Sequence, residues 1–141
     1  MFSRILHLHI CCHAKEADCA MMTLLFCLIA VVLIHELGHI LMVMVCNKIE
    51  KRPIFDYVVM IDWKHVSIVH EKFSRPGFNV MVALAGPVFP VICSGVLFFM
   101  WRHPVTHPLL LFSLLNTVML HPACPDGKNI IASLKEMKGE N

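Results

Sequence analysis

Between residues 21 and 46 the chain carries one charged side chain, Glu36, and it sits inside Leu33-Ile34-His35-Glu36-Leu37-Gly38-His39-Ile40. An apolar run of that length crosses a hydrocarbon core of about 30 Å as one helix with some tilt. Other backbone conformations would leave amide groups without partners in lipid. On a helix, His35 and His39 project from one face a turn apart, with Glu36 beside them. Two imidazoles so placed can share a zinc ion that keeps an open position for water. Zinc lowers the pKa of that water to near 7, and an adjacent carboxylate takes its proton as it attacks a carbonyl. The H-E-x-x-H pattern is thus that of a metallopeptidase centre, with Glu36 as base. Its setting adds weight, because ionisable groups at membrane depth face a protein interior and mark functional sites. The competing reading is a helix whose histidines snorkel or bond to neighbouring helices.

Composition agrees with a membrane setting. The 141 residues, sized for one domain, are 57% hydrophobic and 16% charged, against about 45–50% apolar and about 25% charged in soluble domains. A net charge of +2 without a basic or acidic tract gives no footprint for nucleic acid. Cys11, Cys12, Cys19, Cys27, Cys46, Cys93 and Cys124 are odd in number and lack C-x-x-C spacing, so they define no disulfide framework. The first apolar run is too long for a signal-peptide core and lacks a clean cleavage site after it, so it is expected to remain as an anchor.

Before that run, residues 4–10 alternate, which predicts a short strand with His7 and His9 on one face. Cys11, Cys12, His13 and Cys19 follow, leaving open either a second metal site or a plain amphipathic strand at the membrane surface. Residues 47–77 are polar and of mixed charge. Within them 54–61 and 66–69 are β-branched and aromatic runs about Asp62-Trp63-Lys64, a predicted β-hairpin. The hairpin edge suits either strand addition of an extended substrate segment or a simple connecting role. A second span is expected over residues 78–101, interrupted by Ala85-Gly86-Pro87 and Pro90 and kinked beside a polar site. A turn at 102–107 leads to a third, short span near 108–121, within 104–124 at most, containing Asn116. The tail from Asn129 has the spacing of a short amphipathic helix. The fold class expected is therefore mainly α and integral to a membrane, with three spans and a small β-hairpin between the first and second.

With three spans, Arg4, Lys15 and Arg102 share one side, and every other lysine and arginine lies on the other. The loop 47–77 and the C-terminus are then cytoplasmic. The first and third spans run parallel and end at that face. His35, His39, Gly86-Pro87 and Asp126 all fall towards it. A catalytic zinc usually takes three protein ligands, often two histidines and a carboxylate. Asp126 is the leading candidate for the third, placed just past the third span and followed by Gly127, which lets the backbone bend it inward. Glu71 and His121 are the alternatives.

His35-Glu36-Leu37-Gly38-His39 in one span, Ala83-Leu84-Ala85-Gly86-Pro87 in the next and Asp126-Gly127 after a third resemble the motifs of the site-2 protease family of intramembrane zinc metalloproteases. The resemblance covers roughly residues 30–130. It implies zinc held by His35, His39 and Asp126, with Glu36 as base and a hairpin after the first catalytic helix. It also points to Asn116, Gly86 and Pro87 for substrate binding. The implied partners are the lipid bilayer and a membrane-protein substrate cut in or near its transmembrane segment, in a bacterial cell membrane. Pro90 stands where the family often has asparagine, and Asn116 lies ten residues before Asp126, further than the family's N-x-x-P run would place it. With three spans and no regulatory domain, the chain resembles a minimal core. Two other functions fit the sequence. One is a non-catalytic zinc-binding membrane protein that assembles with or regulates others, against which the intact Glu36 argues. The other is a metal transporter with a His and Cys relay, which would place polar residues in several spans.

Overall fold

The computed structural model describes residues 2–62 and 65–139, with side chains described for 18–60 and 68–139. Helix α1 spans Phe2–Ile49 and is followed by strands β1, Val58–Asp62, and β2, His65–Val69. Helix α2, Pro76–Met100, comes next. Then follow α3, Thr106–Asn116, a 3₁₀ turn, Thr117–Leu120, and α4, Pro125–Lys138. Two segments, Asp18–Ile49 and Pro76–Met100, are long and apolar enough to cross a membrane. The run from Thr106 to Lys138, bent by 44°, makes a third if its two parts act as one span.

The strand expected over residues 4–10 is instead the start of α1. Once the apolar segment has nucleated a helix, each added residue gains one backbone hydrogen bond at little further cost, which outweighs a short alternating pattern. The side chains of the His and Cys residues at 7–13 lie outside those described, and with them any second metal site. Further along α1, Met21, Leu25, Phe26, Ile29, Val32 and Leu33 are all exposed. With Leu24, Leu28, Leu37 and Leu41, also exposed, they cover most of the circumference of the helix, far beyond the apolar patch a soluble monomer leaves open.

Helix α2 packs against α1, α3 and α4. It does so with small residues, since Ala83, Gly86, Pro87, Pro90 and Ser94 are buried at helical spacing. Without a hydrophobic drive between helices in lipid, such a face lets backbones approach closely enough for dispersion to hold them. Gly38 of α1 meets this face, where a Cβ would lie 2.6 Å from Ala85 O and 2.8 Å from Phe89 Cβ. The expected interruption at Gly86-Pro87 and Pro90 is absent, and α2 continues through both prolines. Two apolar clusters flank this contact. Val43, Cys46, Phe73 and Val82 form one, and Cys27, Val31 and Leu109 the other.

After α1 the chain reverses at Lys51, whose φ of 59° lies in the left-handed region. The hairpin then pairs antiparallel from Val58 with Val69 to Asp62 with His65. It begins at Val58 and not at residue 54, because 54 and 55 fall in a turn closed by Asp56 N–H to Pro53 O at 3.1 Å. Its expected turn residues, Trp63 and Lys64, lie outside those described. Asn79 at the start of α2 anchors the hairpin exit, accepting from Phe73 N–H at 3.1 Å and donating to Phe73 O at 3.4 Å.

The third apolar stretch, expected over residues 108–121, is helical from Thr106 to Leu120, with its last turn tightened to 3₁₀, and α4 follows it after a break. Pro122 and Pro125 lack the N–H groups a continuing helix needs, and Pro125 restarts one at its first position. Helix α4 ends at Gly139, left-handed at φ 72°, a common helix stop. It takes in the short tail helix expected from Asn129 onward.

Candidate metal centre

Helical spacing brings the His35 and His39 rings of α1 together, with their Nε2 atoms 3.1 Å apart. Asp126, in the first turn of α4, reaches both, with Oδ2 3.3 Å from His35 Nε2 and Oδ1 3.5 Å from His39 Nε2. A tetrahedral zinc with ligands at about 2.0–2.1 Å requires its donor atoms about 3.3–3.4 Å apart. The three measured separations bracket that value, and two imidazoles with one carboxylate are a zinc donor set. Among the described residues these three form the group able to hold a metal ion. His35 is only 8% exposed.

The floor of the group is Gly86. A Cβ there would lie 2.8 Å from His35 Nε2 and closer still to His39 Nε2. The glycine is therefore a condition of the histidines pointing where they do, and Pro87 beside it is buried in the helix contact. Gly127 does the same for the carboxylate. Its Cβ would lie 2.6 Å from Leu120 O and closer to His121 O, so α4 can start tight against the end of the 3₁₀ turn. Asp126 is thus held by a helix start, and Gly127 serves by lacking a side chain, not by bending the backbone.

His39 Nδ1 lies 2.8 Å from Val82 O. A carbonyl can only accept, so Nδ1 carries the proton and the Nε2 lone pair faces the group, as a metal ligand requires. Asn116, expected to bind substrate, has its amide nitrogen 2.9 Å from His35 Nδ1. The two alternative ligands lie elsewhere. Glu71 pairs with Arg52 Nη1 at 3.3 Å, and His121 Nδ1 accepts from Ala123 N–H at 3.2 Å.

The group opens into a cavity of about 890 Å³ whose wall includes Glu36, half-buried one residue from His35. Strand β2 contributes Ile68, the hairpin exit His70 and Lys72, and α4 Asn129 and Ser133. Lys72 Nζ also pairs with Glu136 at 2.7 Å, tying that exit to α4. Sequence reasoning missed the Val82 carbonyl, which no side-chain motif can flag. It also missed Asn129, although Asn129 lies one turn beyond Asp126 on α4 and so shares its face. Comparison of the chain with protein-family models, curated proteins and solved structures finds no match.

Proposed function

We propose that this chain is an intramembrane zinc endopeptidase of the site-2 protease kind, hydrolysing a peptide bond in or near a transmembrane segment of a membrane-protein substrate. The observation that carries the reading is the set of His35, His39 and Asp126 donor atoms at 3.1–3.5 Å, with the Glu36 side chain in the wall of the same cavity. When bound, zinc supplies an acidified water and polarises the scissile carbonyl. Glu36 takes the proton of the attacking water and returns it to the departing amine, within reach because it neighbours His35 on the helix. Val82 O holds the His39 ring in its ligand tautomer, and the exposed apolar faces of α1 and α2 suit a lipid setting. A substrate helix has to unwind before cleavage, since its carbonyls are engaged in its own hydrogen bonds. The cavity, whose lining includes Ile68 of β2 and Asp126, Asn129 and Ser133 of α4, is where an unwound substrate segment would lie.

The test compares zinc content and cleavage of a transmembrane peptide in liposomes for the wild type, Glu36→Gln and His39→Ala. Glu36→Gln is expected to keep its zinc and lose about a hundredfold to ten-thousandfold in rate, as loss of a general base does. His39→Ala is expected to lose both. Equal cleavage by wild type and Glu36→Gln removes the catalytic assignment. A wild type that binds zinc but cuts nothing in a broad panel favours a non-catalytic zinc-binding role.

A further inference from the structure

The Asn116 amide lies 2.9 Å from His35 Nδ1, while His35 Nε2 lies 3.1 Å from His39 Nε2. With Nδ1–H donated to the Val82 carbonyl, neutral His39 has a bare Nε2. Without metal, the contact between the two Nε2 atoms is a hydrogen bond only if His35 Nε2–H donates. Neutral His35 then has a bare Nδ1, which accepts from the Asn116 amide N–H. A metal ion requires the opposite, a lone pair at His35 Nε2 and therefore a proton at Nδ1. That proton needs an acceptor, and among the described residues Asn116 is the side chain placed at Nδ1.

From this geometry we propose that Asn116 is a positioning residue for the metal centre, whose amide serves both tautomers of His35. Its NH₂ end donates to Nδ1 in the metal-free protein. Its oxygen accepts from Nδ1–H once metal is bound. His35 releases the Nε2 proton to water and takes one at Nδ1, so the ring stays neutral while the amide turns over. An amide suits this exchange because its two ends have nearly the same shape and opposite hydrogen-bonding roles. A carboxylate could serve only the metal-bound tautomer. The division of labour is uneven: the Val82 carbonyl presets His39, whereas Asn116 leaves His35 adjustable. The inference rests on His35, His39 and Asp126 binding zinc, and not on peptide cleavage.

The test measures zinc affinity by competition with a chromophoric chelator, together with the thermal midpoint of the metal-free protein, for wild type, Asn116→Ala and Asn116→Asp. Loss of an outer hydrogen-bond partner typically weakens metal affinity about tenfold to a hundredfold, and Asn116→Ala is expected to fall in that range. Asn116→Asp is expected to bind zinc at least as tightly as wild type, because its carboxylate accepts from Nδ1–H. The ¹⁵N shifts of His35 are expected to report Nε2–H without zinc and Nδ1–H with it in the wild type, and Nδ1–H in both states of Asn116→Asp. Equal zinc affinity in wild type and Asn116→Ala overturns the proposal. So does weakening of Asn116→Asp to the level of Asn116→Ala, which would give Asn116 a packing role alone. A wild type that binds no zinc overturns the metal centre itself, and this proposal with it.

Discussion

At the scale of single residues, the centre depends on an atom that is not there. Gly86 leaves room for two imidazoles at a helix contact, and a methyl group would meet His39 Cε1 at 2.5 Å and His35 Nε2 at 2.8 Å. Gly86→Ala must swing the rings out of register or part α1 from α2, and overpacking of this kind costs about 1–3 kcal/mol. Zinc content is expected to fall well below one per chain while circular dichroism stays helical. Gly95 is the control, since a Cβ there meets nothing within 4 Å. Gly95→Ala is expected to leave zinc content unchanged and to raise the thermal midpoint slightly, because alanine is the better helix former. Zinc retained in full by Gly86→Ala would show that the helices tolerate a wider approach than their packing implies. His35 and His39 were legible in the sequence as two metal-binding candidates because they lie about one turn apart on one helix. The hydrogen-bond partners of the two rings were not, since Val82 acts through its backbone and Asn116 meets His35 only through the fold.

At the scale of elements, what could be read tracks how much of the signal is local. Helix α2 and the hairpin pairing appear much as hydropathy and β-branched runs imply, because each is set by neighbouring residues. Near the N-terminus, continuation of a long helix overrides the alternation of residues 4–10. The third apolar stretch is helical from Thr106 to Leu120, and Pro122 and Pro125 flank it as its sequence implies. The helix that begins at Pro125 is longer than the tail helix the spacing from Asn129 implies, so Asp126 is fixed by a helix start. That start leans on Gly127. Gly127→Ala would press a methyl into the carbonyls of Leu120 and His121, at a cost of about 1–3 kcal/mol, and shift the first turn of α4. Chelator competition is expected to show zinc bound at least tenfold more weakly than in wild type. Asp126→Asn keeps the backbone and is expected to lose zinc with little change in thermal midpoint. An unchanged affinity in Gly127→Ala would mean that the carboxylate is held by its own contacts and not by the position of α4.

At the scale of the whole molecule, two helices are long and apolar enough to cross a bilayer, and α3 with α4 makes a third only if the bent pair acts as one span. Helix α3 has 11 residues, about 17 Å at 1.5 Å per residue, too short for a core of about 30 Å. A third crossing therefore needs the 3₁₀ turn and part of α4 as well. With a third crossing, Arg4, Lys15 and Arg102 would share one side and the other nine lysines and arginines the opposite one, and we propose on that ground that the loop between α1 and α2 and the C-terminus are cytoplasmic. A reporter fused after residue 141 is expected to read as cytoplasmic and one fused before residue 3 as external. Reports from the same side would leave α1 and α2 as the crossings, with α3 and α4 folded back against them.

Two donors of the group stand on α1 and the third on α4, at opposite ends of the chain order. A ribosome adding about 5–20 residues per second reaches Asp126 roughly 5–20 seconds after His35. Throughout that interval only two of the three donors exist, so a full ligand set closes only once α4 packs against α2. The separation of the donors ties metal binding at this group to completion of the helix packing, and under the proposed function it would keep the chain inactive until α4 is in place.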